Sequence, residues 1–363
     1  MKQQPHNFSG GPGALPEPVL EQLAEAIHVV DDCGISVLGM SHRSDWFRAV
    51  VDEAELHLRA LLGLSPEQRV VFMQGGGTAQ FAMVPLLLGR KGVTVEYLHT
   101  GYWSGKAIAE ARKFADVRVP WSGESRGFRE LPRPDEAAFS PEAAYLHYVS
   151  NETVEGLRFS ERPGVAGVPL VCDMSSDFCS GPIDAGAYDL IYAHAQKNLG
   201  PAGVTVAVVD ERLLGDAPDN LPSVLDYRPQ IAAGSIYNTP PVFAIYATLL
   251  VLRWLRHEVG GLAAMQAINQ RKAEALYQAL DQFDDCYVPR ASVLDRSPMN
   301  VVFNLRRPEQ LPAFLASARA AGLHGLEGHR SIGGIRASLY NAVSEASVTA
   351  LIDFLDQQRP HLA

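Results

Sequence analysis

The chain has 363 residues, of which 47% are hydrophobic and 20% are charged. That length predicts two domains, and that composition is typical of a folded protein rather than a disordered one. A net charge of −10 without a basic stripe argues against a nucleic-acid partner. The four cysteines form neither a CxxC pair nor a cluster with histidine at zinc spacing, so we expect free thiols, a cytoplasmic location and no metal site.

Neither the interior nor the beginning of the chain predicts a membrane partner. The longest apolar run, residues 240–252, is shorter than the roughly 20 residues that span a bilayer. The first 16 residues lack the apolar stretch of a signal peptide.

The first two thirds of the sequence alternate between helical and strand patterns. A helical pattern begins near Pro16, with Val19, Leu23 and Ile27 on one face. Short apolar runs typical of strands then alternate with helical stretches. These runs are 70–74, 94–100, 117–121, 144–150, 170–174, 190–194 and 204–210. Such alternation predicts a mostly parallel sheet in a large three-layer α/β domain.

A second, smaller α/β region follows a helical stretch at 242–257. Its predicted elements are a helix over 261–280, a strand over 299–305, a helix over 312–321, a strand over 334–340 and a helix over 344–357. We therefore expect a large domain over 16–255, and a small domain formed by 1–15 and 256–363.

Residues able to bind an anion follow the first predicted strand. In open α/β sheets, ligands bind at the carboxyl ends of the strands. Gly75, Gly76, Gly77 and Thr78 come directly after the run 70–74 and lead into a helix. Glycines let a backbone approach closely, and a helix N-terminus offers free N–H groups. A glycine-rich turn without a ligand explains this stretch alone equally well.

Four other side chains follow other predicted strands. Trp103 can stack on a planar ligand or simply pack, and Thr153 can contact a ligand or cap a helix. Asp173 ends an apolar run, where a carboxylate needs a cationic partner, and a structural ion pair is the alternative. Lys197 lies between a strand and a Gly/Pro loop, where burial lowers an amine's pKa and makes it nucleophilic.

The combination predicts a pyridoxal 5'-phosphate site. A lysine amine bonds to the cofactor aldehyde, and an aspartate keeps the ring nitrogen protonated. The tryptophan would cover the ring, while the glycine loop and the hydroxyl groups would hold the phosphate.

Over nearly its whole length, the sequence resembles the phosphoserine aminotransferases, class V enzymes of the fold-type I pyridoxal phosphate transferases. The resemblance lies in Asn7-Phe8-Ser9-Gly10-Gly11-Pro12, Ser41-His42-Arg43-Ser44, Gly75-Gly76-Gly77, Gly101-Tyr102-Trp103, Asn151-Glu152-Thr153, Ala195-Gln196-Lys197-Asn198, Tyr237-Asn238-Thr239-Pro240-Pro241, Gly328-His329-Arg330 and Gly333-Gly334-Ile335-Arg336-Ala337-Ser338. It implies a large three-layer α/β domain with a smaller C-terminal α/β domain.

The resemblance also implies roles for individual residues. Lys197 would form the aldimine and carry the α-proton, and Asp173 would pair with the pyridine nitrogen. The implied cofactor contacts within the subunit are Gly77, Thr78, Trp103, Thr153 and Gln196. The neighbouring subunit of a homodimer would supply Asn238 and Thr239 to the same phosphate.

The implied substrate site is rich in basic groups. Arg336 would bind the α-carboxylate, with Gly10 lining the same site. His329 and Arg330, together with His42 and Arg43 from across the dimer, would recognise the substrate phosphate or the glutamate side chain. Some members of the family carry Arg where this chain has Thr78. The loss of one charged hydrogen bond would weaken anion binding by about one to two orders of magnitude.

The implied reaction is a ping-pong transamination. It interconverts O-phospho-L-serine plus 2-oxoglutarate and 3-phosphohydroxypyruvate plus L-glutamate in serine biosynthesis, and we expect 4-phosphohydroxy-L-threonine of pyridoxine biosynthesis as a second substrate. An alanine–glyoxylate type aminotransferase is the first alternative, although it has no use for two basic pairs. A cysteine desulfurase would need a catalytic cysteine, and Cys286 lies in an unpromising setting. A non-catalytic phospho-ligand binder would not need Lys197 with Asp173.

Overall fold

The computed structural model describes residues 6–215 and 217–362. The remaining residues of the predicted small domain, 1–5 and 363, lie outside this description. The strands are β1 His6–Asn7, β2 Gln68–Met73, β3 Thr94–Tyr97, β4 Asp116–Arg118, β5 Leu146–Val149, β6 Asn151–Glu152, β7 Leu157–Arg158, β8 Leu170–Asp173, β9 Leu190–His194, β10 Thr205–Asp210, β11 Tyr287–Pro289, β12 Asn300–Leu305, β13 Leu323–His324 and β14 Ile335–Ser338. The α-helices are α1 Glu17–His28, α2 Asp45–Leu62, α3 Gly76–Leu88, α4 Tyr102–Ala111, α5 Ala195–Asn198, α6 Tyr227–Ala232, α7 Val242–Arg253, α8 Leu262–Gln282, α9 Leu311–Ala320 and α10 Glu345–Leu362.

The central sheet has seven strands in the order β2-β10-β9-β8-β5-β3-β4. β10 pairs antiparallel with both of its neighbours, and the other six strands share one direction. The predicted mostly parallel sheet is therefore confirmed. The reversed direction of β10 was not predicted, because an apolar run carries no information about the direction of its strand.

Helices cover both faces of this sheet. Side chains of a strand alternate between faces, so Val71 and Met73 of β2 face α3 and α4, while Val70 and Phe72 face the layer of α1, α2 and α7. The three layers match the predicted large domain. β9 has the bounds of its predicted run, and β2 begins two residues before its run. β3 is shorter than its run, because buried residues such as Leu98 and Thr100 continue beyond the paired residues into the loop.

A smaller antiparallel sheet, in the order β11-β12-β14, forms the core of the C-terminal region. α8, α9 and α10 pack against it, and Phe8 from the N-terminal segment is buried in the same core. α7 passes into a π-helical turn over Trp254–Glu258 near the predicted domain boundary. The division at residues 15 and 255 remains a prediction.

Candidate active site

The carboxyl ends of the codirectional strands β2, β3, β5, β8 and β9 meet at one edge of the sheet. The residues that follow them are therefore close in space although they are far apart in sequence. Asp173 ends β8, and Lys197 lies in α5, which follows β9 directly. This edge brings together most of the side chains that the sequence singles out.

Lys197 is buried beside two hydroxyl groups. Its Nζ donates hydrogen bonds to Thr153 Oγ1 at 2.8 Å and to Ser176 Oγ at 2.7 Å. The two hydroxyl oxygens are themselves 2.6 Å apart. Burial lowers the pKa of Lys197 to about 8, against the opposing effect of the Asp173 carboxylate. A substantial fraction of the amine is thus neutral, and nucleophilic, in mildly alkaline solution.

Asp173 is a buried carboxyl group that accepts from one backbone amide among the described residues. The Ser175 amide donates to Asp173 Oδ1 at 2.8 Å. Burial raises the pKa of Asp173, and the Lys197 charge opposes that shift. A structural ion pair was the alternative from sequence, but the acidic residue that pairs with an arginine here is Asp177, 3.2 Å from Arg158. Asp173 therefore remains positioned to receive a cation from a ligand.

The glycine loop after β2 begins helix α3, as the sequence predicts. Gly75 and Gly76 have φ values of 96° and 64°, a left-handed conformation that a side chain rarely allows. The amide N of Gly77 lies 3.1 Å from Nδ1 and 3.0 Å from Nε2 of His194. Thr78 follows in the first turn of α3 and is exposed. The loop presents a helix N-terminus at the same edge as Lys197.

Trp103 lies in the first turn of α4, the helix that follows β3. Its amide donates to Glu152 Oε2 at 3.1 Å, and the Ser104 amide donates to Glu152 Oε1 at 3.0 Å. Glu152 therefore caps α4 and ties it to the segment that carries Thr153. The indole Nε1 of Trp103 is buried and has no hydrogen-bond partner within the described residues.

Thr153 does not cap a helix, so that alternative from the sequence is wrong. Residues 153–156 form a turn between the short strands β6 and β7. The Thr153 hydroxyl is free to meet Lys197 because no helix follows that would need its oxygen.

Arg336 on β14 faces the site from the small sheet. Gly10 packs directly on its guanidinium group, and a Cβ at Gly10 would overlap that group. The Tyr340 hydroxyl donates to the Gly10 carbonyl at 2.8 Å, which fixes this approach. Burial lowers the pKa of Arg336, and its Nε has no partner within the described residues. The Arg336 charge also lowers the pKa of Lys197, so the two cations act on one region.

His329 reaches the same edge, and Arg330 beside it is exposed. The His329 ring lies 4.7 Å from the Tyr102 ring between centroids, and its Nδ1 is 2.6 Å from Ser331 Oγ. Burial, followed by the charges of Arg336 and Arg330, lowers the pKa of His329. This predicted basic pair therefore lies beside the helix that carries Trp103.

Four of the other predicted residues line a cavity whose lining does not include Lys197. His42, Arg43, Asn238 and Thr239 line a separate cavity of about 560 Å³. Asn238 Nδ2 donates to Gln74 Oε1 at 2.9 Å, and Gln74 Nε2 donates to the Thr239 carbonyl at 2.7 Å. Gln196 does lie next to Lys197, and its carbonyl accepts from the Gly13 amide at 2.8 Å.

Sequence reasoning overlooked Ser176, His194 and Tyr340. Ser176 lies three residues after Asp173, and that spacing in a loop after a strand was the available signal. His194 precedes Lys197 by three residues at the end of β9. No sequence pattern pointed to Tyr340, because its role depends on contact with residue 10 at the other end of the chain.

Comparison with known proteins gives the family. A family model for class V aminotransferases matches residues 6–351. The chain belongs to the class V aminotransferases. It is 44% identical over 358 residues to a phosphoserine aminotransferase of Desulfatibacillum aliphaticivorans, covering 98% of both chains. It is 46% identical over 362 residues to one from Acidithiobacillus ferrooxidans, covering 99% of this chain and 100% of the relative.

Solved structures of the same family have the same fold. The phosphoserine aminotransferase from Bacillus circulans subsp. alkalophilus superposes with a TM-score of 0.96 at 42% identity, covering 99% of each chain. The PLP-bound phosphoserine aminotransferase from Trichomonas vaginalis superposes with a TM-score of 0.91 at 35% identity, covering 97% of this chain and 100% of the other. The predicted family, the fold-type I architecture and a transaminase activity are thereby confirmed. No described helix is both long and apolar enough to cross a membrane.

Proposed function

We propose that this class V aminotransferase uses pyridoxal 5'-phosphate to interconvert O-phospho-L-serine plus 2-oxoglutarate and 3-phosphohydroxypyruvate plus L-glutamate. The observation that supports this most strongly is the position of Lys197. Its buried Nζ is held by two hydroxyl groups, with Asp173 beside it and Arg336 close enough to lower its pKa. The amine of Lys197, the carboxyl group of Asp173 and the guanidinium group of Arg336 together favour a reaction on an amino-acid substrate.

The polar groups of this edge fit the proposed cofactor. Pyridoxal phosphate supplies an aldehyde and an electron-withdrawing ring. Lys197 Nζ would hold the aldehyde, and Asp173 would hold the ring nitrogen. Trp103 would cover the ring, with its unpartnered Nε1 available to a ligand. The N-terminus of α3 at Gly77 and Thr78 would hold the phosphate, together with Thr153 and Gln196.

Lys197 would also move the proton of the reaction. Its pKa of about 8 allows Nζ to take a proton from the substrate α-carbon and to return one near neutral pH. Thr153 and Ser176 would orient Nζ for both transfers, because each accepts one of its hydrogen bonds. Asp173 would pair with the ring nitrogen of the bound cofactor and keep it protonated.

The proposed substrates carry an α-carboxylate and a distal anion. Arg336 would bind the carboxylate as a planar fork, with Gly10 leaving the space that its guanidinium group needs. His329 and Arg330 would bind the distal phosphate or the glutamate side-chain carboxylate. In a chain of net charge −10, such a local excess of basic groups favours an anionic ligand.

We propose a homodimer whose two active sites are shared. His42, Arg43, Asn238 and Thr239 line one cavity of about 560 Å³, and Lys197 of the same chain is not part of its lining. A second subunit would bring the first pair to the distal anion, and Asn238 and Thr239 to the cofactor phosphate. We also propose a cytoplasmic location, since Cys33, Cys172, Cys179 and Cys286 are all free thiols.

The alternative functions do not need all of the residues that the site contains. An alanine–glyoxylate aminotransferase from Nostoc sp. shares the fold with a TM-score of 0.73 at 21% identity, which shows the fold alone. Alanine has no distal anion, so it would leave His329 and Arg330 without a role. A non-catalytic phospho-ligand binder would leave the buried Lys197 and Asp173 without one.

The visible absorption spectrum of the holoenzyme tests the proposal. We expect O-phospho-L-serine and glutamate, added separately, each to remove the visible band of the bound cofactor, while alanine leaves it unchanged. A response chiefly to alanine would favour the alanine–glyoxylate type. Absence of any visible band after addition of pyridoxal phosphate would refute the cofactor and the role of Lys197.

We further propose 4-phosphohydroxy-L-threonine as a second substrate. It carries the same phosphate and α-carboxylate groups, so Arg336 and the basic pairs would bind it in the same way. The purified enzyme should convert it to the corresponding 2-oxo acid with 2-oxoglutarate as acceptor. Failure to do so at saturating concentration would exclude this second activity without affecting the first.

A further inference from the structure

His194 occupies the N-terminus of helix α3, the place where the proposed function puts the cofactor phosphate. It ends β9 and lies on the same face of the sheet as Tyr192, the face that α3 covers. Its two ring nitrogens lie 3.1 and 3.0 Å from the Gly77 amide N. The imidazole therefore stands where that amide would otherwise meet a ligand.

The surrounding backbone is shaped around this ring. A Cβ at Gly76 would lie 2.9 Å from His194 Cε1, and a Cβ at Gly77 would lie 2.7 Å from His194 Nε2. Both distances are shorter than a real Cβ contact, so glycine at these two positions admits the histidine. His194, although it belongs to β9, therefore packs directly against the backbone of the glycine loop.

The electrostatic setting favours an anion beside this ring. Burial, and then the Lys197 charge, lower the pKa of His194 to about 3, so the ring is neutral at working pH. Directly opposite on β10 is Thr205, which is uncharged, and its buried hydroxyl has no partner among the described residues. The Gly77 amide and the Lys197 charge both attract negative charge to this place.

We propose that His194 is a phosphate ligand of the cofactor site, a role that rests on the proposed function. When phosphate takes the Gly77 N–H, the ring no longer accepts from that amide. It instead donates the one N–H of its neutral imidazole to a phosphate oxygen. Without ligand, the His194 ring accepts a hydrogen bond from the Gly77 amide. With phosphate bound, the ring donates a hydrogen bond to a phosphate oxygen.

Binding of pyridoxamine 5'-phosphate, followed by calorimetry or fluorescence, tests this role without any covalent step at Lys197. Removal of a hydrogen bond to a charged group in His194→Ala should raise the dissociation constant roughly 10- to 100-fold. His194→Gln, which keeps an N–H donor, should recover much of this loss. Affinity for pyridoxamine, which lacks the phosphate, should be the same in all three proteins.

A control variant separates the phosphate effect from general damage. His99→Ala removes another histidine, whose ring contacts Ser122 rather than the glycine loop, and should bind pyridoxamine 5'-phosphate as wild type does. Circular dichroism and thermal unfolding would show that each variant is folded. Equal or tighter binding by folded His194→Ala would overturn the proposal, because the ring would then merely fill the space. Failure of wild type to bind at all would instead refute the proposed cofactor.

Discussion

The edge around Lys197 and the cavity around Arg43 differ in how completely one chain builds them. At the edge, Lys197, Thr153 and Ser176 are buried and joined by hydrogen bonds, with Asp173 buried alongside. In the cavity, Arg43 is exposed, and His42 and Arg43 have no counterpart of that hydrogen-bonded arrangement among the described residues.

The difference indicates that the edge and the cavity have different roles. Groups that change protonation or bond to a reacting atom must be held rigidly, and burial tunes their pKa values. Groups that recognise a distal anion need only be brought to it, and a second subunit can bring them. We therefore expect substitutions of Lys197 and Asp173 to affect chemistry, and substitutions of the anion-binding residues, at the edge or in the cavity, to affect binding.

The largest effect should come from Lys197→Ala. Loss of the group that moves the proton should lower turnover by at least roughly 10²- to 10⁴-fold, and the visible band of the bound cofactor should disappear. Absorption spectra and steady-state kinetics would measure both. Lys113→Ala, which removes an exposed lysine paired with Glu110, should leave both unchanged. Turnover near wild type without Lys197 would place the chemistry elsewhere.

Asp173→Asn should have the next largest effect on turnover. At an effective dielectric constant of about 20, a carboxylate some 4 Å from a pyridinium contributes about 4 kcal/mol, which corresponds to roughly 10³-fold in rate. Single-turnover kinetics with glutamate would measure it.

The matched control for this change is Asp177→Asn. It removes a neighbouring buried carboxyl group whose pKa is also raised by burial, but which pairs with Arg158. It should lower thermal stability while turnover stays near wild type. Similar losses of turnover in both variants would mean that Asp173 acts only through folding.

Arg336→Lys should affect binding more than chemistry. Replacement of the planar fork by a single ammonium group should raise KM for glutamate and for O-phospho-L-serine by roughly 10-fold each, with a smaller change in kcat. The same change at the exposed Arg271, which pairs with Glu345, should leave KM unaltered. A loss confined to kcat would contradict a carboxylate-binding role.

Thr78→Arg should have the smallest effect. A guanidinium group at this exposed position would add one charged hydrogen bond. Water competes for that bond, so KM for the phosphorylated substrate should fall by about 10-fold, the lower end of the range expected for such a bond. Thr78→Ser, which keeps the hydroxyl, is the control and should change little. An unchanged KM in Thr78→Arg would show that position 78 does not reach the distal anion.

The fold and the positions of Lys197 and Asp173 were predictable from the sequence, because both follow from the order of strands, helices and loops along the chain. Strand–helix alternation predicted the sheet, and residues at the ends of successive strands predicted where Lys197 and Asp173 meet. The motifs on which the resemblance rests predicted the family, and the comparisons confirm it.

The remaining features depend on contacts that no local pattern encodes. The antiparallel direction of β10 is set by its pairing with β2 and β9. Tyr340 contacts Gly10, which is 330 residues away in sequence. His194 contacts the glycine loop only because β9 packs against α3. These contacts arise from tertiary packing, so only the structure reveals them.

Activity in mixed dimers tests most directly whether two chains share one site. Lys197→Ala and Arg43→Ala proteins, each strongly impaired alone, would be unfolded together and refolded as a mixture. Half of the dimers should then be mixed, and each should contain one intact site, giving about a quarter of wild-type activity. No recovery in a mixture shown to contain mixed dimers, or a monomeric protein in solution, would contradict the shared site.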